Sequence, residues 1–236
     1  MDPILLRQVS RTYPLDSVGV PALRGIDLTI RPDGFTVLCG PSGSGKTTLL
    51  NLIGGLDRPD AGEVEVAGQR LNRLGDDALA DFRARHLGFV FQHFNLLPVL
   101  TAAENVEVPL RLIGTPAARR RERVRELLAA VGLTDPVDLG DRRPGQLSGG
   151  QRQRVAIARA LAAGPALVLA DEPTANLDSE TGAAILALMR RLQREQGVAF
   201  LFSSHDPQLL AAADDRVFLR DGRVTAVERS AGEVAA

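Results

Sequence analysis

The chain has 236 residues, enough for one large hydrophobic core or for a core with a subdomain. Its hydrophobic fraction of 44% and charged fraction of 24% are those of an ordinary globular protein, and its net charge of -1 gives no reason to expect nucleic acid as a partner. No apolar run reaches the roughly 18 to 20 residues that cross a bilayer, the start Met1-Asp2-Pro3-Ile4 lacks the pattern of a secretory signal, and the single cysteine, Cys39, excludes an internal disulfide.

The chain begins with a stretch, residues 4–30, that predicts short strands joined by turns, and residues 62–68 predict another. We expect these segments to form an antiparallel flank. Four short apolar runs predict buried parallel strands, and helical patterns lie between them. The four runs are residues 35–39, 87–91, 166–170 and 198–202. The alternation predicts a layered α/β domain with right-handed crossovers.

A P-loop is predicted at residues 40–47, Gly-Pro-Ser-Gly-Ser-Gly-Lys-Thr, between an apolar strand and a helix pattern that starts at Thr48. Glycines let successive backbone N–H groups surround phosphates, and the helix N-terminus adds a positive dipole. Of the 28 Lys and Arg residues only Lys46 is lysine, which suits a narrow phosphate site because guanidinium is wider than ammonium. We expect Lys46 to reach the β- and γ-phosphates and the Thr47 hydroxyl to coordinate Mg²⁺. The alternative, a glycine-rich turn without a ligand, does not explain the flanking strand and helix.

The strand pattern is absent for about 75 residues between Phe91 and Ala166, which is far beyond an ordinary connection. Within this insert an apolar stripe predicts a helix that Gly132 ends. The stripe consists of Val124, Leu127, Leu128 and Val131. We therefore predict one domain over residues 1–236. It would comprise an α/β core at 1–92 and 164–229, a helical subdomain at 93–163 and a frayed tail at 230–236.

Asp171 and Glu172 follow the third apolar run and so lie at the carboxyl end of a strand, where open α/β sheets bind ligands. Adjacent carboxylates there suit a division of roles. Asp171 would hold Mg²⁺, directly or through water, and Glu172 would orient and deprotonate an attacking water. An isolated Asp-Glu pair is commonly a solvated turn, but its combination with a P-loop favours the catalytic interpretation.

Residues 147–151, Leu-Ser-Gly-Gly-Gln, precede a helix pattern at 152–163 and resemble the signature sequence of the ABC ATPase superfamily. A helix start with small residues is itself an anion site, so the chain has two phosphate-binding surfaces and one P-loop. The resemblance implies a P-loop NTPase (RecA-like) core. It also implies an ATP-sandwich homodimer, in which the signature sequence of one copy closes on the γ-phosphate held by the P-loop of the other.

Other positions resemble the family in the same order. Tyr13 matches the aromatic residue that stacks on adenine, and Gln92 matches the glutamine that senses Mg²⁺ and the lytic water. Residues 176–178, Asn-Leu-Asp, match the loop that crosses the dimer interface. His205 matches the histidine that contacts the γ-phosphate and steadies the catalytic carboxylate. His86 and His93 have no such context and receive no role.

The resemblance implies ATP and Mg²⁺ as cofactors and assigns three sets of residues. The catalytic set is Glu172, His205 and Gln92. The metal set is Thr47, Gln92 and Asp171. The ATP-binding set is Tyr13, Gly40, Pro41, Ser42, Gly43, Ser44, Gly45, Lys46, Thr47, Thr48, Ser148, Gly149, Gly150 and Gln151.

Within the superfamily, residues 52–57, 89–98 and 101–106 are most similar to the lipoprotein-release and macrolide-export (LolD/MacB-type) group. This resemblance implies an ATPase that energises separately encoded membrane permease subunits from the cytoplasmic face of the inner membrane, for export or extraction. The apolar segment at 94–100 can belong to the core of the helical subdomain, or some of it can line a groove for a short permease helix, and we expect both in part. Two alternatives are a soluble ABC-type ATPase acting on ribosomes or DNA, and a P-loop kinase of small metabolites. Relatives of the first kind usually carry two ATPase units, a long coiled coil or a zinc module, whereas this sequence has one P-loop, one cysteine and no sustained heptads. A kinase would not need residues 147–151.

Overall fold

The structure is a computed structural model that describes residues 4–15, 18–134 and 138–229. The strands of the described residues are β1 (Ile4–Leu15), β2 (Val18–Ile30), β3 (Phe35–Cys39), β4 (Ala61–Val66), β5 (Gln69–Arg70), β6 (Leu87–Val90), β7 (Leu167–Asp171), β8 (Ala199–Ser203), β9 (Asp215–Arg220) and β10 (Arg223–Arg229). The α-helices are α1 (Lys46–Ile53), α2 (Asp76–His86), α3 (Ala102–Leu112), α4 (Ala117–Ala130), α5 (Gly149–Leu161), α6 (Ser179–Gln196) and α7 (Pro207–Ala212). Short 3₁₀ helices lie at Leu71–Arg73 and Pro144–Gln146. The predicted tail at 230–236 lies outside the described residues.

The chain divides into two compact units. The first comprises Met1–Leu79 and Ala199–Ala236, and the second comprises Ala80–Val198. The sequence places its boundaries at other residues, with a helical subdomain at 93–163, and that division stays a prediction. The described part of 93–163 contains α3, α4 and α5 and no strand.

In the first unit, β3 pairs in parallel with β8 and with β9, and β10 pairs antiparallel with β9. Every residue of β3 and β8 is buried, as continuous apolar runs predict for central parallel strands. The ring of Phe35 packs 4.4 Å from that of Phe202, centroid to centroid. The predicted strand at 35–39 is confirmed, and the one at 198–202 is displaced by one residue.

The antiparallel flank is also present in the first unit, with strand order β2-β1-β4-β5. β1 and β2 have 12 and 13 residues, longer than the short strands we expected. Register shifts break their pairing after Leu6 and after Val9, and Gln8 between them has a φ of 52°. Such bulges interrupt the alternation of apolar and polar residues by which a long strand is predicted.

In the second unit, β6 and β7 pair in parallel, with Leu87 opposite Leu167 and Val90 opposite Ala170. Helix α3 begins with a capping box, in which Thr101 and Glu104 exchange side-chain-to-backbone hydrogen bonds. Helix α6 begins at a cap formed by Asp178 and ends at Gly197, whose φ is 63°. None of the helices in the described part of the chain combines the length and apolar character needed to cross a membrane.

Candidate functional site

The loop between β3 and α1 requires glycine. Gly40, Gly43 and Gly45 have φ values of 151°, 77° and 103°, and a side chain is strained at such values. A Cβ at Gly40 would lie 2.2 Å from the backbone oxygen of Leu219. Only glycine therefore allows this loop to pack against β9 in the observed conformation.

Lys46 is the first residue of α1 and is 9% exposed. Its ammonium donates hydrogen bonds to the carbonyl oxygens of Gly40, at 2.8 Å, and Pro41, at 2.9 Å. The side chain thus folds back across the loop and places its charge beside these two carbonyls. Helix α1 has no side-chain cap at Gly45, so its dipole and first-turn N–H groups can act on an anion.

The remaining P-loop residues are compatible with a triphosphate. The Ser44 hydroxyl is buried and has no hydrogen-bond partner among the described residues, so a polar group of a ligand would satisfy it. Thr47 is exposed in the first turn of α1, and Thr48 beside it is half-buried. Pro41 and Ser42 are exposed at the loop tip. A hydroxyl such as that of Thr47 is an oxygen ligand of the type that Mg²⁺ prefers.

Cys39, the last residue of β3, leads directly into the P-loop. It is 3% exposed, and burial raises the pKa of its thiol to about 11. The neutral thiol therefore packs as a small apolar side chain, in agreement with its place in a buried strand.

His205 lies at the same edge of the first unit as the P-loop. It follows β8, whose residue Ser203 is opposite Leu38 in the parallel pairing with β3. The backbone N–H of Ser204 donates to the carbonyl of Leu38 at 3.2 Å. His205 is exposed, so its imidazole is accessible at the edge where the P-loop begins.

Tyr13 lies in β1, and its ring is held from two directions. Its hydroxyl donates to the Asp57 carboxylate at 2.7 Å. The guanidinium of Arg11 lies over the ring, 4.8 Å from its centroid. Sequence reasoning identified Tyr13 but neither of these partners.

Gln92 and the carboxylate pair lie at one edge of the second unit. Because β6 and β7 are parallel neighbours, the segments after them leave the strands at the same end. Asp171 is the last residue of β7, and Glu172 has a φ of 44°, a left-handed conformation that non-glycine residues rarely adopt. Both residues are half-buried.

The loop at 176–178 contacts the segment that carries Gln92. The amide of Asn176 donates to the carbonyl of Gln92 at 2.8 Å and lies 3.2 Å from Nδ1 of His93. The sequence predicts no role for His93, but its imidazole contacts the same Asn176 amide. Asp178 caps α6, and the hydrogen bond from the backbone N–H of Thr181 lowers the pKa of the Asp178 carboxyl.

The signature sequence forms the beginning of α5. Ser148 caps the helix: its hydroxyl accepts from the N–H of Gln151 at 3.2 Å, and the Gln151 side chain accepts from the N–H of Ser148 at 2.8 Å. A Cβ at Gly150 would lie 2.6 Å from Cγ2 of Thr181, so glycine permits close packing of α5 on α6. Gly149 and Gly150 are half-buried.

Two residues of α5 were not identified from the sequence. Gln153 is fully buried and donates to the carbonyl of Pro173, next to Glu172, at 2.7 Å. Arg159 donates to the carbonyls of Phe94 and Asn95, at 2.8 and 2.5 Å, and burial lowers its pKa. The signal for Gln153 is a polar residue on an otherwise apolar helix face. Arg159 gives no comparable signal, because its partners are backbone groups about 64 residues away.

A strand–loop–helix P-loop, a carboxylate pair at the end of a parallel strand and a glycine-containing helix start define the class of P-loop nucleotide hydrolases. The comparisons with known proteins specify the family. The sequence model of the ABC transporter family matches residues 23–175, and the chain belongs to this family.

Similar proteins agree with the subgroup that the sequence suggested. A lipoprotein-releasing system ATP-binding protein LolD of Anaeromyxobacter dehalogenans is 51% identical over 94% of this chain and 92% of its own length. A macrolide export ATP-binding/permease protein MacB of Syntrophobacter fumaroxidans is 46% identical over 99% of this chain, which spans only 33% of that protein.

A solved structure of the ATP-binding cassette MJ0796, a dimer in a post-hydrolysis state bound to ADP and Pi, is 42% identical, with a TM-score of 0.88 over 97% of this chain and 99% of that chain. The predicted fold class is confirmed. The chain is an ATP-binding subunit of the ABC type, an ATPase that uses ATP and Mg²⁺.

Proposed function

We propose that this chain energises a separately encoded membrane permease for export or for extraction of a lipoprotein, peptide or drug-like substrate. It would bind at the cytoplasmic face of the inner membrane through that permease. Similarity to LolD and MacB supports this direction of transport. The observation that carries the proposal is that one chain has a P-loop and a second anion-binding helix start at Ser148, yet no second P-loop.

Two such surfaces on one chain favour a homodimer that holds ATP between its copies. Helix α5 begins with Gly149 and Gly150, and the N–H groups of this first turn would bind the γ-phosphate held by the P-loop of the other copy. The dimeric state of the MJ0796 cassette supports this arrangement. ATP binding would then favour the closed dimer, and hydrolysis would favour its opening.

In the first unit, each P-loop group would have a separate role toward ATP. Lys46 would neutralise the β- and γ-phosphates, the N–H groups of residues 40–48 would bind their oxygens, and Tyr13 would stack on adenine. Thr47 would supply a hydroxyl to Mg²⁺, which adds charge neutralisation at the phosphates. His205 would contact the γ-phosphate.

In the second unit, Glu172 would accept a proton from the attacking water and orient it. The left-handed φ of Glu172 supports this role, because strained backbone is concentrated at functional positions. Asp171 and Gln92 would supply oxygen ligands to Mg²⁺, and Gln92 would respond to the water. The Asn176 amide donates to the Gln92 carbonyl, so a movement of Gln92 on ATP binding would also move the loop of residues 176–178 at the dimer interface.

A groove in the second unit suits a permease helix. It has a volume of about 600 Å³, and apolar and basic side chains line it, including Phe89, Phe91, Leu112 and Arg159. Leu112 is 73% exposed. In the apolar segment at 94–100, Phe94, Leu96 and Leu100 are half-buried, which supports a core role, whereas Leu97 and Val99 are exposed, which supports a role at an interface. Exposed apolar side chains beside a groove are typical of an interface.

The decisive experiment replaces Glu172 with Gln. We expect Glu172→Gln to retain ATP binding, to lose hydrolysis by about 10²- to 10⁴-fold, and to form a stable dimer when ATP is added. Phosphate release and light scattering measure the two effects. Glu180→Gln, the same change at an exposed position of α6 in the same unit, is the control and should behave as the wild type. Normal turnover in Glu172→Gln would refute the assignment of Glu172 as the base. A variant that binds ATP but stays monomeric would refute the ATP-sandwich dimer.

A further inference from the structure

The ring of Tyr13 belongs to a network of charged side chains. Asp57 accepts the Tyr13 hydroxyl at 2.7 Å and also accepts from Nε of Arg11 at 3.0 Å. A second guanidinium nitrogen of Arg11 lies 2.9 Å from the other Asp57 oxygen. The guanidinium therefore contacts both the carboxylate and the ring face, 4.8 Å from the centroid. One carboxylate thus fixes the phenol and the cation that covers it.

A second carboxylate fixes the strand that carries the ring. Asp60 pairs with Arg11 at 2.6 Å and accepts from the backbone N–H of Thr12, also at 2.6 Å. The N–H of Asp60 donates to the carbonyl of Ser10 at 2.9 Å. These bonds join residues 10–13 to one short segment, 57–60, so the strand that carries the ring is fixed and Asp57 holds the ring hydroxyl.

The same segment is joined to the P-loop helix. The N–H groups of Leu56 and Asp57 both approach the carbonyl oxygen of Asn51, at 2.9 and 3.4 Å. Asn51 is in α1, which begins at Lys46. The Tyr13 ring is therefore fixed relative to the helix whose N-terminus faces the phosphates. The ribose limits how far the base of a nucleotide can lie from its phosphates, so a fixed distance between the Tyr13 ring and the P-loop would select one bound conformation of the nucleotide.

We propose that Arg11 and Asp57 are positioning residues for the nucleotide base: they hold the Tyr13 ring between the guanidinium on one face and the purine on the other. This proposal rests on the stacking role of Tyr13 given above. Neither residue touches the nucleotide in this arrangement. They act by removing rotational freedom from the ring before binding, so that less conformational entropy is lost when the base stacks.

Two ligands separate base recognition from phosphate binding. ATP carries the adenine, whereas inorganic tripolyphosphate carries only the phosphate chain. The dissociation constants of both, measured in the presence of Mg²⁺ by calorimetry, give a ratio that reports the contribution of the base. General damage to the P-loop or to the fold would weaken both ligands and leave this ratio unchanged.

Tyr13→Phe keeps the ring and removes the hydroxyl that Asp57 accepts, and Asp57→Asn removes the charge that holds Arg11. We expect each variant to weaken ATP binding by about 3- to 10-fold and to weaken tripolyphosphate binding by less than about twofold. Tyr13→Ala should weaken ATP binding by about 10- to 100-fold. Asp76→Asn, which disrupts the exposed Arg58–Asp76 pair in the same unit, is the control and should leave both constants unchanged.

Failure of this proposal differs from failure of the stacking role. If Tyr13→Ala leaves the ratio of the two constants at the wild-type value, Tyr13 does not bind the base and both proposals are wrong. If Tyr13→Ala lowers ATP affinity selectively but Tyr13→Phe and Asp57→Asn do not, stacking stands and the positioning role is overturned. Equal weakening of ATP and tripolyphosphate in Asp57→Asn would also overturn it, because Asp57 would then be only structural.

Discussion

Lys46 has a position that arginine could not occupy. Its ammonium bonds to two carbonyls of the loop within 2.9 Å, and the side chain is almost fully buried. A guanidinium is planar and wider, and it would need to displace the backbone of Gly40 or Pro41. This explains physically why a chain that otherwise uses arginine has a lysine here.

We predict that both Lys46→Ala and Lys46→Arg abolish hydrolysis and weaken ATP binding by at least about tenfold, because neither restores a compact cation at the phosphates. Equilibrium binding of ATP and phosphate release measure the two effects. Arg73→Ala, at an exposed position of the same unit, should change neither. Wild-type turnover in Lys46→Arg would show that charge alone is sufficient and that shape is not.

Single residues also show where the sequence was informative. Lys46, Asp171 and Ser148 could be predicted as site residues because each belongs to a short motif whose neighbours along the chain define its context. Asp57 was not, since its contact with Tyr13 joins residues 44 apart. His93 was missed for the same reason, because its contact with Asn176 spans 83 residues. One sequence carries no local signal for such pairs.

The secondary structure elements follow the same logic. Apolar runs predicted β3 at its observed bounds and β6, β7 and β8 to within one residue, because burial of a parallel strand requires apolar side chains throughout. Helices α1 and α5 begin earlier than the predicted 48 and 152, at Lys46 and Gly149. Glycine has a low helix propensity, and Gly45 precedes α1 while Gly149 and Gly150 begin α5, so the sequence pattern predicts both helices to start too late.

Helices α3 and α4 of the insert are joined by an ion pair that makes a pH-dependent contribution to stability. Glu107 of α3 accepts from Arg120 of α4 at 2.6 Å and from Arg111 at 2.8 Å, and its side chain is 15% exposed. The hydrogen bond from Arg120, followed by that from Arg111, lowers the pKa of Glu107 below its ordinary value. The folded state therefore favours the ionised carboxylate.

We predict that Glu107→Gln lowers the free energy of unfolding by about 1 kcal/mol at pH 7, measured by urea denaturation. The contribution of a carboxylate with a depressed pKa is complete above the unfolded pKa, about 4.3, and is lost as the pH falls through the folded value. The difference between wild type and variant should thus shrink below about pH 4. Glu126→Gln in α4, where the pair with Arg123 is exposed, should have little effect. A difference that persists at low pH would exclude the ion pair as its cause.

At the scale of the whole molecule, each unit carries part of the proposed site. The first contains the P-loop, Tyr13 and His205, and the second contains Glu172, Gln92 and the signature sequence at Ser148. If each ATP is bound by the P-loop of one copy and the signature sequence of the other, two differently damaged copies can form one intact site.

We predict that Lys46→Ala and Ser148→Arg chains are each inactive, but that mixed dimers hydrolyse ATP. Half of randomly paired dimers are mixed, and each has one intact site of two, so the mixture should recover up to about a quarter of wild-type phosphate release. Each variant assayed alone at doubled concentration is the control. Two affinity tags, one on each variant, allow the mixed dimers to be isolated. If these mixed dimers are as inactive as the two single variants, hydrolysis does not use a site shared between copies.

The buried sulfur of Cys39 has a practical consequence. With its pKa raised to about 11, the thiol has almost no nucleophilic thiolate at neutral pH, and the surrounding strand shields it from reagents. Alkylating dyes should therefore leave the native protein unmodified, and a chain that carries the label is one in which β3 has opened. Labelling of Cys39 therefore reports the opening of β3, and the labelled residue lies immediately before the P-loop.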